Sequence, residues 1–162
     1  MNNGLDLFTA VHTSLSVVAL LSGALAIREL SRGSAESISV YTFLVTAAAT
    51  SVTGFYFPFH GMTPALGIGI VAVWVLAWTL FAQRLARRSA FWAANFAIGL
   101  VVSEYFLVFV AIAQAFTKVP ALHAMAPTLK EAPFGAAQFV ALVIFVSLAI
   151  VVARRSKSRV GP

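Results

Sequence analysis

The chain contains no cysteine. That excludes disulfides, thiolate metal sites, haem attached through Cys-x-x-C and a cysteine nucleophile. Charge is almost as scarce. Only 10% of the 162 residues are Asp, Glu, Lys or Arg, and Asp6 is the single aspartate. No Ser-His-Asp order, pair of catalytic carboxylates or nucleotide-binding loop can be found. A soluble domain of this length needs far more polar surface to cover its core.

What is present is apolar. Hydrophobic residues make up 60% of the chain, and they fall in long blocks rather than amphipathic stripes, the pattern of membrane spans. Five blocks, at about 7–30, 38–57, 64–86, 91–116 and 134–153, approach or exceed the ~20 residues a helix needs to cross the hydrocarbon layer. The expected fold is therefore all-α: one integral membrane bundle of five transmembrane helices over residues 1–162, without internal repeats. Met1 to Asp6 carry no Lys or Arg, whereas a secretory leader wants a positive start. The first block is thus expected to be a retained helix.

Charge placement sets the expected orientation. Arg28 and Arg32 lie in the first loop, Arg84, Arg87 and Arg88 in the third, and Arg154, Arg155, Lys157 and Arg159 in the tail at 154–162. With five spans these nine of the eleven basic residues share one side, and Lys118 and Lys130 take the other. The basic side is expected to be cytoplasmic, which places the N-terminus outside and the C-terminus inside. The net charge of +6 follows from this flanking role and does not point to nucleic acid. The expected partners are the lipid bilayer and a homo-oligomer or larger membrane complex.

Two external loops follow, at 58–63 and 118–133. In the first, Pro58 is expected to end the second helix, with Thr63 as N-cap and Pro64 as first residue of the third. In the second, Pro120, Pro127 and Pro133 bracket a short helix over 121–126 lying on the bilayer surface. Long loops in compact proteins are often functional.

Two segments carry a resemblance. One is Thr53-Gly54-Phe55-Tyr56-Phe57-Pro58-Phe59-His60-Gly61-Met62-Thr63-Pro64-Ala65. The other is Lys118-Val119-Pro120-Ala121-Leu122-His123-Ala124-Met125-Ala126-Pro127-Thr128, followed by Glu131-Ala132-Pro133-Phe134. Together they resemble a functionally uncharacterised family of small multi-pass bacterial inner-membrane proteins, over most of the chain. The family pattern has an Asn in the middle of the fourth helix, where this chain has Ser103-Glu104. The resemblance implies a bacterial inner-membrane location and supplies no chemistry.

Glu104 is the sharpest single feature. It sits about 20 Å along the fourth helix from Phe91 at 1.5 Å per residue. A bare charge there costs about 2.5–3.5 kcal/mol on insertion scales, and no Lys or Arg lies at matching depth in another span. Glu104 is therefore expected to be held as the neutral acid and hydrogen-bonded. Two readings stay open: a proton or cation site, or a neutral group joining helices. Ser103 and Gln114 are expected to share a face three turns apart, and with Glu104 they form the candidate ligand or proton site. Asn95 falls on the opposite side.

The second helix carries a stripe of Thr42, Thr46, Thr50 and Thr53, read as close packing with hydroxyls bonded back to the backbone. Small-residue seams run through Ser16, Ala19, Gly23 and Ala26 in the first helix and through Ala65, Gly69 and Ala72 in the third. The ridge Trp74, Trp78, Phe81 is expected to face lipid or a neighbouring subunit. All three histidines fall toward the external side, and His12, His60 and His123 are the candidate metal ligands, since three imidazoles are a known set. The reading of interfacial hydrogen-bonders is preferred, and no cofactor is expected. The leading function is non-enzymatic: binding or passing a small ligand or ion, with Glu104 as the intramembrane anchor. A metal- or haem-dependent redox protein and an accessory subunit are the alternatives.

Overall fold

The computed structural model describes residues 3–57 and 64–157. Among these the elements are six helices: α1 (Asn3–Arg32), α2 (Ile38–Gly54), α3 (Pro64–Leu85), α4 (Ala90–Lys118), α5 (Pro120–Met125) and α6 (Ala132–Lys157). Four are long and apolar enough to cross a membrane, through Asp6–Arg32, Leu66–Leu85, Ala90–Lys118 and Ala132–Ser156, and α2 is a shorter apolar helix. These are the proportions of a multi-pass membrane protein. The outer surface agrees, since Leu21, Val45, Trp74 and Phe139 are all well exposed, an apolar coat that water does not tolerate.

Local chemistry sets the helix ends. Gly33, at φ 84°, closes α1. Its N–H donates to the Leu30 carbonyl at 2.9 Å and that of Ser34 to Glu29 at 2.8 Å, the paired bonds of a left-handed helix cap. Ser37 and Ser89 cap α2 and α4, accepting from the N–H groups of Val40 and Trp92, each at 3.4 Å. Pro64 opens α3 and Pro120 opens α5, positions where a missing N–H costs nothing. The short α5 falls within a residue of expectation. Pro58 and Thr63 lie outside the described residues. The second helix ends at Gly54 rather than at residue 57, because the N–H groups of Phe55, Tyr56 and Phe57 bond three residues back, a tighter turn that leaves the α-helix.

α4 is the centre of the bundle, packed against α6, α3 and α1, while α2 leans chiefly on α1. The core gathers Ile27, Leu30, Phe43, Leu44, Leu76, Phe96, Leu100 and Val152 from every long helix. The small-residue seam of α1 is the buried one, with Ala19 and Ala26 fully covered. In α3 the buried stripe is Leu76, Thr79 and Ala82, whereas Gly69 and Ala72 of the expected seam are only half-buried and the side chain of Ala65 lies outside the described residues. The reason is Gly99 of α4, whose missing side chain lets the α3 backbone come close. A Cβ there would lie 3.4 Å from Thr79 Cα and 3.2 Å from its Cβ.

The basic loops meet at one end. Arg87 forks onto Glu36, Nε to Oε1 at 2.7 Å and Nη2 to Oε2 at 2.5 Å, and Arg155 donates to the Ser31 carbonyl. The opposite end is aromatic, with Phe8 against Phe57 and Phe116 against Phe134.

Candidate functional site

α4 carries Glu104 to the level of Gly23 on α1. Glu104 is 2% exposed. Its carboxyl occupies the place a side chain at position 23 would take: a Cβ there would fall 2.5 Å from Glu104 Cδ and 2.8 Å from Phe43 Cδ2. Glu104 Oε2 is buried and has no hydrogen-bond partner, against the expectation that the group is bonded to a neighbour. Ser22 of α1, buried next to Gly23 in sequence, donates to its own backbone at Val18 and Ala19.

One side of Glu104 opens on a lateral groove of about 560 Å³ between α1, α4 and α6. Leu20, Leu21, Ala24 and Ile27 of α1 form one wall, with Val108 of α4 and Phe145 and Leu148 of α6 opposite. Arg28 and Ser31 line it toward the basic end. Glu104 and Arg28 are thus the ionisable groups of an otherwise apolar crevice. The sequence reading assigns Arg28 to topology alone, and the groove gives it a second place.

The other candidate residues divide. Ser103 is buried beside Glu104 in sequence, and its Oγ is likewise without a partner. Gln114 is exposed and lies ten residues on, about 15 Å along the axis. Sharing a face with Ser103 does not bring it to the site. Asn95 donates to the Phe91 carbonyl at 3.0 Å. Thr46 and Thr53 bond back to the carbonyls of Thr42 and Ala49 at 2.7 Å, the packing role expected of the stripe, whereas Thr50 Oγ1 is buried and unpartnered.

His12 serves the α1–α2 contact. Its Nδ1 lies 2.8 Å from Thr53 Oγ1, whose own proton is directed to a backbone carbonyl. The pair joins α1 to α2, and the imidazole ring meets Phe57 edge-on at 5.0 Å. His123 is exposed on α5, and His60 lies outside the described residues. Among the described residues no three His, Asp or Glu side chains cluster as metal ligands would.

Sequence reasoning passed over Gln138. It is buried on α6 and donates through Nε2 to the Phe109 carbonyl of α4 at 3.0 Å, with Oε1 unpartnered. The available signal was a lone amide in a run of apolar residues, the same kind of signal that marks Glu104. No family model, characterised protein or solved structure matches the chain, so the residues themselves carry the functional reading.

Proposed function

We propose that this chain is a small bacterial inner-membrane protein of five spans that binds or passes a small ligand or ion at Glu104 and performs no covalent chemistry. One observation carries the reading: a carboxyl with one oxygen buried and without a hydrogen-bond partner, on a residue that lines an open groove. An orphaned buried polar group is costly, and ionisable residues inside a membrane are functional by default. A carboxyl serving only to join helices would be bonded across the contact, as Gln138 is.

The N-terminus is placed outside and the C-terminus in the cytoplasm. The joining of the first and third loops through Glu36 and Arg87, and of Ser31 to Arg155, supports this by gathering the basic segments at one end. α2, at 17 residues, counts as the fifth span. It reaches from the core level of Leu30 to the level of His12, traversing the bundle beside α1. Reporters after Gly161 and at Pro127 are expected on opposite sides, and finding them on one side removes the five-span arrangement.

The functional test is Glu104→Gln, which keeps the shape and removes ionisation. Infrared difference titration between about pH 5 and 8, where buried carboxyls titrate, is paired with proton flux into vesicles containing a trapped pH dye. A stable variant that loses the titrating carboxyl signal and the pH dependence of flux supports the reading. A stable variant with both unchanged leaves Glu104 a packing residue.

A further inference from the structure

The groove has an order. From its basic end it presents Arg28 and Ser31, then Ala24 and Ile27 with Glu104 opposite Gly23, then Leu20, Leu21 and Val108. A cation is followed by a hydrogen-bonding carboxyl and then by a purely apolar stretch. From Ser31 to Leu20 is eleven residues of helix, about 17 Å. Arg28 lies five residues from Gly23, about 7.5 Å along the axis. The guanidinium of Arg28 pairs with no carboxylate among the described residues. Arg155, held at the Ser31 carbonyl, adds positive charge at the same end. The crevice opens sideways, toward the space that lipid fills.

We propose that this groove seats one anionic glycerophospholipid of the surrounding bilayer. The phosphate lies on Arg28, an ester carbonyl takes a hydrogen bond from neutral Glu104, and one acyl chain lies along the Leu20, Leu21 and Val108 half. A glycerophospholipid presents phosphate, esters and hydrocarbon in that same order. The charge at the head end selects an anion, since the Arg28 guanidinium lines it and forms no ion pair with a carboxylate among the described residues. Ala24 contributes the small side chain at the middle of the groove. Charge-assisted contact to phosphate is the strong interaction, and the apolar half contributes burial without direction. The proposal rests on the reading of Glu104 as a ligand site and names the ligand class.

The test is lipid retention. The protein is placed in nanodiscs of equal parts phosphatidylcholine and phosphatidylglycerol, released into mild detergent and weighed by native mass spectrometry. Wild type is expected to keep one phosphatidylglycerol per chain in preference to phosphatidylcholine. Ala24→Phe fills the crevice without altering either ionisable group, and is expected to lose the lipid. Arg28→Gln, at an exposed position, should fold as wild type and lose about tenfold in preference, the size of one charge-assisted hydrogen bond. Equal retention of the two lipids by wild type, or retention unchanged in Arg28→Gln, overturns the proposal. Glu104→Gln separates the two readings, because its amide still donates to an ester carbonyl. Lipid kept by this variant while its pH response is unaltered sustains the lipid and removes Glu104 as an ionisable site. A lost pH response in a protein whose wild type shows no lipid preference does the reverse.

Discussion

The carboxyl of Glu104 on α4 fills the space that a side chain at Gly23 on α1 would need. Helix propensity favours Ala over Gly by about 1 kcal/mol, while overpacking a tight contact costs about 1–3 kcal/mol. The clash involves Phe43 as well as the carboxyl, so the overpacking wins. Gly23→Ala is expected to lower the melting temperature in detergent. Gly135→Ala, with open space at its Cβ, is the control and should be neutral or slightly stabilising. Adding Glu104→Ala to Gly23→Ala should recover part of the loss; an equal loss in the double variant would show that the two side chains do not compete for this space.

Gln138→Leu is expected to cost less than about 1 kcal/mol, because interhelical hydrogen bonds in membranes average about 0.6 kcal/mol. The change also removes the unpartnered Oε1, and Leu is close in volume. Gln138→Ala should cost more, through the cavity left between α4 and α6. Melting of both variants checks the order, and a reversed order would show that the hydrogen bond outweighs packing here.

The turn before α6 is expected to be acid-sensitive. The Thr128 hydroxyl donates to Glu131 Oε1 at 2.7 Å, and the Lys130 N–H donates to Oε2 at 3.0 Å. The Thr128 hydroxyl, foremost, and these backbone N–H groups hold the Glu131 carboxyl below its ordinary value of 4.5. A lowered value means that the contribution is fully present above 4.5 and fades as pH falls through the folded-state value. Protection of the Thr128 and Lys130 amides, measured as hydrogen exchange relative to the intrinsic rate at each pH, should therefore be present at neutral pH and fall in acid. Glu131→Gln should show the low protection at both, and a variant with wild-type pH dependence would exonerate the carboxylate.

Arg87 and Glu36 form a fork at the surface, their side chains 81% and 51% exposed. Arg87 holds the Glu36 carboxyl low through its hydrogen bonds. Solvent and salt screen such a pair. Glu36→Gln should change the melting temperature slightly at low salt and not at all at high salt. A large, salt-insensitive loss would mean that the fork fixes the loop geometry itself.

Helix existence was legible because long apolar runs admit few alternatives. Helix faces were less so. In α3 both sides are equally apolar, so periodicity does not tell the buried stripe of Leu76, Thr79 and Ala82 from the lipid-facing one. Only the exposed ridge of Trp74, Trp78 and Phe81 was readable in advance. At the candidate site Glu104 stood out by its cost, but its receptor did not. Gly23 reads in sequence as one member of a small-residue seam, and its pairing with Glu104 depends on the relative height of two helices eighty residues apart. Gln114 shows the converse failure, since sharing a helix face says nothing about how far along that face the partner helices extend.

The central position of α4 has a consequence for biogenesis. The chain is synthesised from α1 onward, so α1 and α3 are made before α4, the neighbour they share. During that interval Gly23 and Thr79 lie on surfaces that face lipid or each other. Glu104 then enters on the last long helix but one and finds its recess already formed. A chain truncated after Leu85 would hold that recess empty, and one lacking α1 would bring a carboxyl into the bilayer with nowhere to dock. Quality-control proteases that recognise unpaired polar groups within membrane helices should therefore remove the second truncation faster than the first.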